Sequence, residues 1–184
     1  MVALFSIFFF ALNMLTTHQV AYLQDLNFSP MMSATVFGLM AGISIIGRLL
    51  SGALALRFEG RYLAAVFLTL MGFGILVLIY ARDISFMYLY SILTGIGFGG
   101  MLVLMPNLFG AYFGRTHYSR IVGWTTPIVT LVCAASPVIA GFLYDVTGKY
   151  IFSFSLASVL IFASVLITLL CRPPRLPATF NLGV

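Results

Sequence analysis

A chain of 184 residues with 62% hydrophobic and only 7% charged positions cannot clothe a water-soluble domain, in which roughly a quarter of residues carry charge. Its mean hydropathy of +1.14 and 18 Phe point to a bilayer as the solvent. There, only helices and closed barrels satisfy their own backbone, and strand-length alternation is absent, so an all-α integral membrane protein is expected. The net charge of +5 is scattered singly between apolar runs rather than gathered on a face, which argues against a nucleic-acid partner.

Charges divide the chain into stretches near the roughly 20 apolar residues that a bilayer crossing needs. The first span is predicted from Val2 to about Leu23, ending before Gln24 and Asp25. It opens without a basic n-region or a small-residue cleavage site, so it reads as a mature span, with truncation upstream as an alternative. The second runs from about Met31 to Leu56 and is broken only by Arg48; the third takes Tyr62 to Ala81 and stops at Arg82 and Asp83. The fourth is long, Ile84 to Phe113, with a bend expected at Pro106. The fifth covers Ile121 to Tyr144, and the sixth covers Tyr150 to Leu170, before Arg172, Pro173 and Pro174. Residues 1–172 thus form one six-helix body, with 173–184 as a short tail.

The loops sort by charge. Arg57, Arg61, Arg115, Arg120, Arg172 and Arg175 fall on one side, and Arg82 and Lys149 on the other. Since cytoplasmic loops carry the Lys/Arg excess, both termini are expected in the cytoplasm of a cell membrane.

Arg48 stands out. A charged side chain at mid-membrane costs roughly 2.5–3.5 kcal/mol on insertion scales and usually faces a cavity or a partner. The six spans as drawn contain no Asp or Glu to pair with it. Ala41, Ser44, Ser51, Gly52 and Ala55 share its helical face, with Gly38 and Gly42 adding a GxxxG. Such small residues mark close helix contacts, so the arginine is expected to aim into the bundle. A guanidinium there offers a fork matching a carboxylate; an acid from outside this chain is the other reading. The first span supplies polar company in Asn13, Thr16, Thr17, His18 and Gln19. His18 is a candidate for proton coupling, since imidazole is the side chain whose ordinary charge change falls near neutral pH, although a lone His near a helix end is more often an interfacial hydrogen bonder. His117 lies in a basic loop and is expected to be solvated.

Several features invite other readings. Gly95-Ile-Gly-Phe-Gly-Gly100 satisfies GxGxxG, but without the strand, following helix and nearby acid of a dinucleotide site it reads as close helix packing, with a hinge as second choice. Asn27-Phe-Ser29 fits a glycosylation sequon, yet Pro30 follows and an ordinary turn is preferred. Cys133 and Cys171 have no metal or disulfide spacing and are expected to pack. The four dispersed acids and two histidines assemble no catalytic constellation, so no enzyme activity, cofactor or metal is expected.

Three motifs in order carry a resemblance. Gly47-Arg48-Leu-Leu-Ser-Gly52, continuing through Arg57 to Gly60-Arg61, resembles the helix-end and loop motif in the C-terminal half of major facilitator superfamily transporters. Pro137, Gly141, Asp145 and Gly148 resemble the end of that half's fifth helix and its turn. His18 to Pro30, with Tyr22 and Asp25, followed by Gly47-Arg48, is similar to the monocarboxylate and oxalate/formate carriers of that superfamily. The resemblance implies one six-helix half of a twelve-helix fold, built as a 3+3 inverted repeat, with substrate near mid-membrane between halves. It also implies secondary active transport of a small organic anion, a monocarboxylate above all, by alternating access with an N-terminal half that this chain lacks. Symport with protons and exchange both stay open. Arg48 matches the carboxylate-pairing arginine, with Asn13, His18 and Tyr22 as companions at the substrate site. Leu56 stands where the loop motif has Asp, and Val129 where the oxalate carriers have Lys; one fixed cation favours a monocarboxylate over a dicarboxylate. The chain is read as a fragment, a truncated reading frame or half of a split carrier. A drug or sugar carrier of the same superfamily and a non-transporting membrane subunit are the alternatives.

Overall fold

A computed structural model describes residues 1–114 and 118–171. Arg115, His117, Arg172, Arg175 and the tail 173–184 lie outside the described residues. Six helices follow in order: α1 (Val2–Asp25), α2 (Pro30–Leu54), α3 (Gly60–Tyr80), α4 (Ile84–Phe113), α5 (Tyr118–Thr147) and α6 (Ile151–Leu170). Each is long and apolar enough to cross a membrane. The chain is an integral membrane protein.

Local chemistry sets the ends. Asn27 takes φ 67° and turns the chain out of α1. Ser29 then caps α2, its Oγ accepting from the Met32 amide at 3.2 Å, and Pro30 occupies the first turn, where its missing N–H costs nothing. The would-be sequon is therefore a turn and a cap. Gly114 at φ 75° stops α4 and Gly148 at φ 68° stops α5, positions where a Cβ would be strained. Helix α4 stays helical across Pro106, and α5 across Pro127 and Pro137.

The first three helices and the last three pack as equivalents. Each middle helix lies on the other triplet's first, α2 on α4 and α5 on α1. Each third helix also lies on the other triplet's first, α3 on α4 and α6 on α1, and α3 meets α6. That exchange is the 3+3 arrangement.

Small residues on α4 make the tightest seams. Gly95 and Gly99 abut Met40 and Ser44 of α2, while Gly97 and Gly100 abut Phe67 and Met71 of α3. A Cβ on any of these four would come within 3 Å of a neighbouring atom, so the GxGxxG run serves helix packing. Among tails as apolar as leucine, such close backbone approach replaces the hydrophobic effect as the source of association.

Candidate functional site

Arg48 follows from the packing of α2. The buried stripe of this helix is Ser33, Val36, Met40, Ser44, Gly47 and Ser51. Gly47 is the critical member, because a Cβ there would meet Ile96 and Gly100 of α4. Arg48 sits one residue on, about 100° round the helix, and is exposed. Here the expectation of an arginine aimed into the bundle is corrected. Gly38, Gly42 and Gly52 would each accept a Cβ with nothing within 4 Å, so among the described residues the GxxxG packs on nothing. The reason is angular: α4 takes the stripe centred on Ser44 and Gly47, and the small residues Ala41, Gly52 and Ala55 share Arg48's sector beside it. Among the described residues Arg48 pairs with no acid; the ion pair present is Arg61 Nε to Glu59 Oε1 at 2.8 Å.

The companions lie elsewhere. Pro137 has no N–H, so the Cys133 carbonyl four residues earlier loses its helical donor. Asn13 Nδ2 donates to that carbonyl at 2.9 Å, and Ser136 Oγ donates to it as well. One turn further along α1, Thr17 Oγ1 donates to Asn13 Oδ1 at 3.3 Å. His18 Nε2 lies 3.3 Å from the Pro137 carbonyl; only an N–H can serve there, which puts a proton on Nε2. His18 and Asn13 thus tie α1 to α5 beside a proline and do not hydrogen-bond to Arg48. Tyr22 is buried, donates to the Ile79 carbonyl at 3.2 Å and meets Phe154 edge-on. It braces α1 against α3 and α6, away from the open face of α2.

The loop motif is divided in the same way. Arg61 carries the Glu59 pair and lies 4.5 Å over the Tyr62 ring, Gly60 lies against Leu108, and Arg57 is exposed. In the helix-turn motif, Gly141 is half-buried and Asp145 exposed, and Gly148 donates its amide to the Tyr144 carbonyl.

A buried pair escaped the sequence reading. Tyr90 and Gln19 are both fully buried, and the Tyr90 hydroxyl donates to Gln19 Oε1, close to Met40 Sδ. The only signal available was a Tyr deep in an apolar run, which needs a polar partner. Nothing in spacing named Gln19 as that partner.

A further cavity of about 490 Å³ opens between α1, α4 and α5, bounded by Phe5, Phe9, Met105, Phe109, Thr126 and Cys133 among others. Among the described residues, no three of His, Cys, Asp and Glu come together as a metal site.

Residues 1–182 match the profile described as Major Facilitator Superfamily. The chain belongs to this superfamily. Among individual proteins, it is 26% identical over 155 residues to "Monocarboxylate transporter 2" of Rattus norvegicus, covering 82% of this chain and 32% of that protein. It is 29% identical over 160 residues to "Monocarboxylate transporter 13" of the same species, covering 83% of this chain and 36% of the relative. With "Monocarboxylate transporter 2" of Mus musculus it shares 30% identity over 122 residues, 64% of this chain and 25% of the relative. The chain thus spans about a third of the length of these major facilitator relatives. Its six helices in two exchanged triplets are one half of the major facilitator fold.

Proposed function

We propose that this chain is the half of a secondary active transporter that carries the anion site. Arg48 pairs with the carboxylate of a small organic monocarboxylate, and the half rocks against a second six-helix half. The supporting observation is the setting of Arg48: exposed on α2, without an acid partner among the described residues, and sharing its helical sector with the small residues Ala41, Gly52 and Ala55, beside the exposed Ile45 and Leu49. A bare guanidinium facing acyl chains is costly, whereas one facing a water-filled interface offers a preformed fork for a carboxylate. Helices α2 and α5 are equivalent in the two triplets and are the least covered of the six, so the second half belongs across both. In this reading the end of the body that holds Arg57 and Arg61 faces the cytoplasm.

Uptake of labelled pyruvate, lactate and formate by the complete transporter tests the assignment. Arg48→Ala is expected to abolish uptake of every carboxylate the parent moves; unchanged uptake would remove Arg48 from the site and turn the reading toward a neutral or cationic cargo.

A further inference from the structure

The small residues of Arg48's own sector border an open space. Gly52 and Ala55 stand one and two turns further along α2, roughly 6 and 11 Å down the helix axis, and both line a cavity of about 370 Å³. Gly52 would accept a Cβ with nothing within 4 Å, so α2 is uncovered there. Asn107 and Ala111 of α4 form the opposing wall, and the start of α3 brings Glu59 and Arg61 into the same cavity. Asn107 and Ala111 also border a second space of about 420 Å³ beside Tyr118. The side of α2 that carries Arg48 thus continues into open volume at the end of the body that holds a second arginine.

The polar groups of this cavity are of one kind. Arg61 gives its Nε to Glu59 at 2.8 Å and one Nη2 hydrogen to the Tyr62 hydroxyl at 2.7 Å. A guanidinium carries five N–H donors, so three are left without a partner among the described residues. Asn107 is exposed, and its side-chain amide pairs with nothing among the described residues. Tyr112 lines the cavity as well, but its hydroxyl proton is committed to the Cys171 carbonyl at 2.5 Å. The free donors are therefore those of Arg61 and Asn107, a charged fork and an amide, which suit a carboxylate. The Arg61 side chain is only 15% exposed, against 42% for Glu59. So sheltered a cation is weakly screened, whereas Glu59 can turn out to water when another carboxylate takes its place.

We infer that the cavity between the end of α2 and α4 is a second and weaker carboxylate site, formed by Arg61 and Asn107, at which the cargo pauses between Arg48 and the Arg57–Arg61 end of the body. This rests on the assignment of Arg48 above. Glu59 sets the weakness, because an arriving anion has to displace a carboxylate already on the guanidinium. A path of successive sites needs binding favourable enough to enter and weak enough to leave; the paired Arg61 meets the second condition and the unpaired Arg48 the first.

Alkylation of Ala111→Cys by N-ethylmaleimide, in the complete transporter otherwise freed of cysteine, tests this. Position 111 is an exposed wall of the cavity. Lactate is expected to slow the reaction, and lactamide, its uncharged counterpart, to leave it unchanged. The half-protecting lactate concentration should rise about tenfold or more with Arg61→Gln and about threefold with Asn107→Ala, and fall about threefold with Glu59→Gln. Arg61→Lys keeps the charge without the fork and should fall between parent and Arg61→Gln; with Asn107→Ala it carries the test if Arg61→Gln does not fold. Protection should survive Arg48→Ala, because the two sites are separate. Absence of protection, equal protection by lactamide, a half-protecting concentration unmoved by the Arg61 and Asn107 changes, or weaker lactate binding in Glu59→Gln overturns the second site and leaves the anchor standing. Protection that vanishes with Arg48→Ala also overturns it, since the shielding then comes from occupancy of Arg48 alone. Labelled lactate uptake that survives Arg48→Ala sinks the anchor instead.

Discussion

At the scale of single residues, the two polar groups nearest in kind to a substrate site are engaged by backbone. Asn13 supplies the donor that Pro137 withholds from the Cys133 carbonyl. Loss of a buried partner leaves an acceptor unsatisfied at about 1–3 kcal/mol. Asn13→Ala should therefore lower the melting temperature of the purified protein measurably. Pro137→Ala restores an N–H to the carbonyl, so the same Asn13→Ala change should cost less in that background. Equal losses in both backgrounds would separate Asn13 from the proline. For Arg48, the relevant contrast is fork against point charge. Arg48→Lys keeps the charge and loses the bidentate geometry, and is expected to raise the KM for carboxylate uptake by about tenfold or more. A lysine variant with parental KM would mean that charge alone holds the anion.

At the scale of helices, packing discriminates between glycines that look alike in sequence. Gly99 abuts the Ser44 backbone, whereas Gly42 has nothing within 4 Å. Gly99→Ala forces α2 from α4 and should destabilise by about 1–3 kcal/mol, as overpacking does. Gly42→Ala meets no atom and gains up to about 1 kcal/mol in helix propensity. Thermal denaturation followed by size-exclusion in mild detergent separates the two; a Gly99→Ala protein as stable as the parent would refute the seam. The helices were legible because charges, Pro and Gly punctuate apolar runs. Their ends shifted by a few residues where a cap decided them: Ser29 starts α2 before Met31, and Gly148 carries α5 past Tyr144 to Thr147.

At the scale of the whole molecule, α2 and α5 are the least covered helices of the body. Helix α5 buries only Ser136 and Ala140 among its described residues, and its exposed side carries Trp124, Leu131, Val138 and Phe142. If α2 borders a water-filled interface, a single cysteine at Ala41 in a background free of Cys133 and Cys171 will react with a hydrophilic maleimide. One at Leu166, on the exposed side of α6, will not. Equal inertness of the two would put lipid on both faces.

The order of amino acids by itself determined that the solvent is a bilayer, that six helices cross it and that one cation is stranded among them. Those are properties of composition and spacing along the chain, which hydration and helix pitch translate directly. Its motifs also carried the family resemblance that the superfamily match bears out. Which side of each helix meets which neighbour was decided only by the tertiary structure. Gly47 and Gly52 are both small and both near Arg48, and nothing in their spacing tells which one α4 will occupy. Once α4 takes Gly47, Arg48 is left on the open side. Asn13 and His18 likewise read as free polar groups until α5 brings the Cys133 and Pro137 carbonyls to them. Helical periodicity says which residues share a face; only long-range packing, where backbone approach and unsatisfied carbonyls compete for partners, says what that face touches.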